Sequence, residues 1–160
     1  MTSSIGAERA DQLATALQPI LVQAEHLRGD LAYRAPAPGE WSAMEILAHV
    51  AEFVPYWASQ AEAVSRRTVN DQPFGRGRDD PSRLEPIAKH AHDTVTEIVE
   101  RLRLGLDEAQ ALLRAIPDDG WQRTGHHLLQ GEMSVETFVQ KFLFDHLAEH
   151  STQLRQADAD

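Results

Sequence analysis

The 160-residue chain predicts an all-α fold, a four-helix bundle, on three observations. Apolar residues recur at helical spacing over four long stretches, strand-like alternation is nearly absent, and caps and breakers fall between the stretches. A chain of this length is expected to form one domain, 1–160, burying roughly two-thirds of the surface its unfolded form exposes.

The first helix is expected from about Gly6 to Arg28. Leu13, Leu17, Ile20, Leu21, Ala24 and Leu27 form its apolar stripe, Pro19 interrupts it, and Gly29 stops it. A Pro-rich connection follows over residues 35–39. The second helix has the clearest start, because Ser42 and Glu45 stand at capping-box spacing. Its stripe continues through Ile46, Val50, Phe53 and Trp57 to about Arg67. Pro55 lies inside it and removes one backbone hydrogen bond, either bowing the helix around a space near His49 or simply fitting it to the core.

Val69 to Pro86, rich in Gly, Pro, Asp and Arg, is expected to be a long loop that can carry a crossover connection. A third helix is expected from about Ile87 to Ile116, loosened at Gly105 and closed by Pro117. A loop containing Trp121, Gly125, His126, His127 and Gly131 leads to Ser134, the cap of the fourth helix. Val135, Phe138, Val139, Phe142, Leu143, His146, His150 and Leu154 make that helix's inward stripe.

Composition narrows the function. Hydrophobic content of 42% and charged content of 25% are those of a soluble globular protein. A net charge of -10 disfavours a nucleic-acid surface, which needs clustered Lys and Arg, and equally an anionic membrane. No run approaches the ~18 apolar residues of a spanning helix. The N-terminal residues show no basic region followed by an apolar stretch, so a cytoplasmic location is expected. The chain has no cysteine, which removes disulfides, Cys-ligated zinc and any protein thiol nucleophile. Any sulfur chemistry must use the substrate's sulfur.

The chemistry-bearing residues are histidines. His146 and His150 stand four apart on one helix face, so their rings can share a metal ion. His49 lies on the inward stripe of its own helix with Ile46 and Phe53, and would complete a facial set of three. Three protein ligands leave a divalent ion with open positions, the mark of a working site. The competing reading is that each is a core histidine bonded to a neighbour. Glu45, Glu52, Asp145 and Glu149 are near enough in sequence to orient the rings, or else they are solvated helix-face charges. His26, His90 and His92 are expected at the surface, and His126 and His127 in a loop that can rim the site.

Three motifs carry a family resemblance. Residues 38–49, Pro38-Gly39-Glu40-Trp41-Ser42 through His49, resemble the N-terminal motif of the DinB-like (DinB/YfiT) superfamily. Ile116-Pro117-Asp118-Asp119-Gly120-Trp121 and the Gly131-Glu132-Met133-Ser134 approach to the last helix are similar to it as well. Asp145-His146-Leu147-Ala148-Glu149-His150, with Gln153 three residues on, resembles its C-terminal motif. The resemblance implies a four-helix bundle, often up-down-down-up, holding one divalent metal on His49, His146 and His150. It also implies relatives that join low-molecular-weight thiols such as bacillithiol to electrophiles, and mycothiol-dependent isomerases.

The leading expectation is therefore a divalent-metal-dependent thiol transferase. Its metal would be Zn, Ni or Fe, its cosubstrate a mycothiol-like or bacillithiol-like thiol, and its partners a small-molecule substrate and a second copy in a homodimer. The alternatives are a hydrolase using a metal-bound water, with Glu52 or Glu149 handling the proton, and a metal-containing stress sensor without turnover.

Overall fold

The computed structural model describes residues 2–67 and 72–158. Met1, Ala159 and Asp160 of the expected domain, and Val69 at the head of the expected loop, lie outside the described residues.

Helix α1 (Ile5–Glu25) starts at Ser4, whose hydroxyl accepts from the Ala7 amide, and buries the expected stripe. It ends three residues before Arg28; a short 3-10 helix, Gly29–Tyr33, follows instead. Helix α2 (Ala43–Ser65) has both halves of the capping box: Glu45 N–H donates to Ser42 Oγ, and Ser42 N–H to Glu45 Oε1. It runs unbroken past Pro55 and is buried on most of its circumference, as befits the central element.

The next segment departs from expectation. A two-residue strand β1 (Pro73–Phe74) and a helix α3 (Pro81–His90) occupy what the sequence reads as loop. The expected third helix is divided, its main part being α4 (Val95–Arg114). The causes are local. Asp80 caps α3 by accepting from the Ser82 amide, with Pro81 in the first helical position, where its missing N–H is harmless. Thr94 and Glu97 form a second capping box that begins α4 afresh.

After a 3-10 turn, Asp118–Gln122, the expected loop holds a hairpin of β2 (Thr124–His127) and β3 (Gly131–Ser134). Strand β1 adds to β2 in parallel, pairing Pro73 with His126 and Phe74 with His127. The fold is thus mostly helical with a small three-stranded sheet, and all-α is corrected to that extent. Strands of two to four residues are too short to show alternation.

Ser134 caps the last helix as expected, but the helix is composite. It passes from α5 (Val135–Phe138) through a π-helical segment, Val139–Asp145, into α6 (His146–Asp158). Helices α1 and α2 each pack against both α4 and α6. Among the described residues no helix is long and apolar enough to cross a membrane.

Two glycines set the helix spacing. Gly105 is buried against α2, where a Cβ would come within 3.2 Å of the Ala51 carbonyl oxygen; it permits close packing rather than loosening α4. A Cβ on Gly6 would collide with the Leu113 carbonyl oxygen. Gly6→Ala is therefore expected to destabilise the protein by about 1–3 kcal/mol despite alanine's better helix propensity. Urea denaturation with the slope held constant measures this; unchanged stability would mean that the two helices separate freely.

Candidate metal centre

His49 lies in the first half of α2, while His146 and His150 occupy the first two turns of α6. Because α2 packs on α6 and on the π-helical segment, the three rings meet. Nε2 of His146 is 3.1 Å from Nε2 of His49 and 3.0 Å from Nε2 of His150. His49 is 1% exposed and His150 9%, whereas the His146 side chain is 34% exposed and forms the open corner. Trp41 stacks over His150 at 6.1 Å between centroids and meets His49 edge-on at 5.1 Å. Phe53 closes the other side, 5.0 Å from His49 and 4.7 Å from His146.

Every ring turns its second nitrogen toward an acceptor three residues further along the helix. His150 Nδ1 donates to Gln153 Oε1 at 2.8 Å. Glu52 Oε2 faces His49 Nδ1, and Glu149 Oε2 faces His146 Nδ1, each at 3.8 Å. Those two gaps exceed hydrogen-bond length. His49 Nδ1 and Glu52 Oε2 are both buried without a partner, so a small closing movement would satisfy each with the other. A proton on Nδ1 leaves Nε2 as a bare lone pair, and three such lone pairs aimed at one another call for a cation between them. The donor set fits a divalent ion such as Zn, Ni or Fe and leaves coordination positions open.

Electrostatics keep the rings unprotonated. Burial, then the neighbouring His150, Arg83, His146 and Arg76, hold His49 at about 2. Burial, His150, Arg83 and Arg78 hold His146 at about 4. Burial lowers His150 too, with Gln153 and Glu149 opposing it. Glu52 is ion-paired with Arg76, which itself lies over the Tyr56 ring at 3.7 Å. Burial raises the Glu52 pKa and Arg76 pulls it back down.

The remaining sequence candidates separate cleanly. Glu45 is occupied by the α2 cap, and Asp145 accepts from Gln140 Nε2. His26 is engaged with the Val22 carbonyl and His90 with Asp93, while His92 and His126 are exposed. His127 is 4% exposed rather than a loop residue at the rim. Its Nδ1 accepts from the Leu129 amide at 3.2 Å, so the proton sits on Nε2. Gly75, at φ +83°, lies against that ring: a Cβ there would come within 2.9 Å of Nε2.

Two cavities flank the histidines. The larger, about 700 Å³, is lined by Trp41, Arg83, His146, Glu149, His150 and Gln153 among others. The smaller, about 250 Å³, lies between His49 and His146 and an aromatic wall of Phe53, Trp57, His127 and Phe142. Arg78 and Arg83 line both. The sequence alone gives no role to these arginines or to Arg76, and places His127 only in a loop that can rim the site. The Asp80-Pro81 helix start was the available signal, because it lifts Arg83 out of a loop and onto a helix.

A family model of the DinB superfamily matches residues 12–154. The chain belongs to the DinB superfamily. No curated protein matches it significantly. Among solved structures it is similar to a histidine-to-alanine mutant of a mycothiol-dependent maleylpyruvate isomerase, with a TM-score of 0.66 and 12% identity. That likeness is one of fold; it covers 100% of this chain and 63% of the isomerase chain, so this chain spans less than two-thirds of that one.

Two outcomes follow from the geometry. An unfolded chain takes up protons on its histidines as pH falls through about 6.5, whereas folded His146 and His49 resist until about 4 and about 2. Stability present above pH 6.5 should therefore drain away as pH falls toward 4. The buried His49 alone contributes about 1.4 kcal/mol per pH unit. Urea unfolding of chelator-treated protein at pH 7, 5.5 and 4.5 measures the slope, and a flat profile would count against buried neutral rings. Separately, Glu52→Gln should weaken zinc affinity about 10–100-fold in competition with a chromophoric chelator. Wild-type affinity in that variant would reduce Glu52 to an ion-pair partner of Arg76.

Proposed function

We propose that this DinB superfamily protein is a divalent-metal-dependent enzyme that joins a low-molecular-weight thiol to an electrophilic small molecule. The observation that carries the proposal is the convergence of three Nε2 atoms, each ring backed by an acceptor at i+3, at the junction of two cavities. The fold likeness to a mycothiol-dependent enzyme and the lack of any cysteine support a thiol supplied from outside.

In this reading His49, His146 and His150 hold the ion, and Gln153, Glu52 and Glu149 fix their tautomers. The ion would lower the pKa of a thiol from ~8.5 into the physiological range. The S–H proton leaves to water through the larger cavity, onto which His146 opens. The sulfur then forms a bond to the electrophilic carbon, and the displaced electron pair leaves with a departing group or moves into a conjugated carbonyl. Phe53 and Trp41 exclude water from the two faces of the histidine cluster. The fold side of the proposal is a four-helix bundle of α1, α2, α4 and the composite C-terminal helix in up-down-down-up order. The packing of α1 and α2 against both other members supports it.

The test loads the protein with Zn, Ni or Fe in turn and assays conjugation of mycothiol and bacillithiol to model electrophiles. We expect metal-dependent loss of free thiol in the wild type. In His146→Ala both bound metal and turnover should fall to background. Stoichiometric metal in that variant would sink the ligand assignment, and metal-dependent ester cleavage without thiol would replace transfer by hydrolysis.

A further inference from the structure

The smaller cavity has a composition that the metal site does not require. Its floor is the pair His49 and His146, and its wall is aromatic: Trp57 and Phe142 stack at 4.7 Å and 28°, and His127 lies 4.9 Å from Phe142 at 33°. Parallel-leaning rings around about 250 Å³ leave room for one flat, ring-sized group and little more.

The cavity's mouth is cationic. Three arginines reach it, but they are not equivalent. Arg76 is already neutralised by Glu52. Arg83 is half-buried, and its guanidinium donates to the Arg78 carbonyl at 2.9 Å. Among the described residues neither Arg83 nor Arg78 has a carboxylate partner within ion-pair distance. Elsewhere in this acidic chain Arg9, Arg66, Arg101, Arg103 and Arg114 do have one. Glu52 and Asp79 act on Arg83 only from beyond ion-pair distance, so an anion arriving on this half-buried guanidinium would supply the direct partner it lacks. Its planar fork matches the two oxygens of a carboxylate or two of the three of a sulfonate. His127, protonated on Nε2, adds a neutral donor to the aromatic wall.

We infer that the smaller cavity binds a flat, ring-sized apolar group bearing one anionic head, with the ring against the wall of Phe53, Trp57 and Phe142 and the head on Arg83 and Arg78. The larger cavity is then left to the bulkier partner. This rests on the proposed thiol transfer only in naming the ligand as the electrophile; the binding itself does not depend on turnover.

The experiment titrates zinc-loaded full-length protein with benzoate, benzenesulfonate and the uncharged isostere benzamide, by calorimetry and tryptophan fluorescence. Both anions should bind at least tenfold more tightly than benzamide. Arg83→Gln should weaken both anions fivefold or more while changing benzamide less than twofold, and Phe142→Ala should weaken all three alike. Thermal melting and metal content verify that each variant is folded and loaded. Equal affinity for the three probes, or no binding of any at millimolar concentration, overturns the inference. Tight benzoate but weak benzenesulfonate, unaffected by Arg83→Gln, overturns it as well, because the metal and not the arginines would then be reading the carboxylate. Anion binding that depends on Arg83 in a protein without thiol turnover would leave this inference standing and remove the proposed reaction. Turnover with no anion preference would do the reverse.

Discussion

Three imidazoles converge with His146 Nε2 3.1 and 3.0 Å from the Nε2 atoms of His49 and His150; as lone pairs these repel, and much of the structure around them answers to that constraint. Buried polar nitrogens need partners on both sides of the ring. The outer nitrogens face Gln153, Glu52 and Glu149, one helical turn along. The inner ones face one another and leave a cation-sized demand. Meeting it requires α2 to lie at the centre of the packing, so that His49 can face α6 from inside the core, and Trp41 and Phe53 to flank the cluster.

The local field runs against the overall charge. The chain carries a net -10, yet the groups felt by the histidines include Arg76, Arg78 and Arg83, all delivered by the segment from β1 into α3. Glu52 joins the two systems, with one oxygen on Arg76 and the other toward His49. A positive field opposes the binding of a free cation, but it stabilises anions near that cation. Such a centre suits reactions whose nucleophile or substrate is negatively charged.

The His146–His150 pair was legible in the sequence because residues four apart on a helix share a face whatever lies around them, whereas His49 was placed by the inward stripe of its own helix and by the family resemblance. The α2 start was legible for a similar reason, since the Ser42–Glu45 box is purely local. What escaped was short or divided. The strands of the hairpin span four residues and β1 only two, below the length at which a pattern can declare itself. The break between α3 and α4 was written as Thr94 to Glu97, a capping box that lies inside one continuous stretch of helical apolar spacing. His127 could not be distinguished from its exposed neighbour His126, because their opposite burial depends on pairing with β1, a contact distant in sequence. The arginines escaped through the same misassigned loop.

The π-helical segment immediately ahead of His146 sets the angular phase of everything after it. A π turn holds one residue more than an α turn. If the same seven residues, Val139–Asp145, closed as ordinary α with none lost, α6 would turn by about 100° about its axis. His146 and His150 would keep their spacing, their caps and their neighbours in sequence, and still point away from His49. The two halves of the site are therefore joined by the wide turn as much as by any contact, and a chain with all three histidines and the same number of residues but an ordinary α turn there would not bring them together.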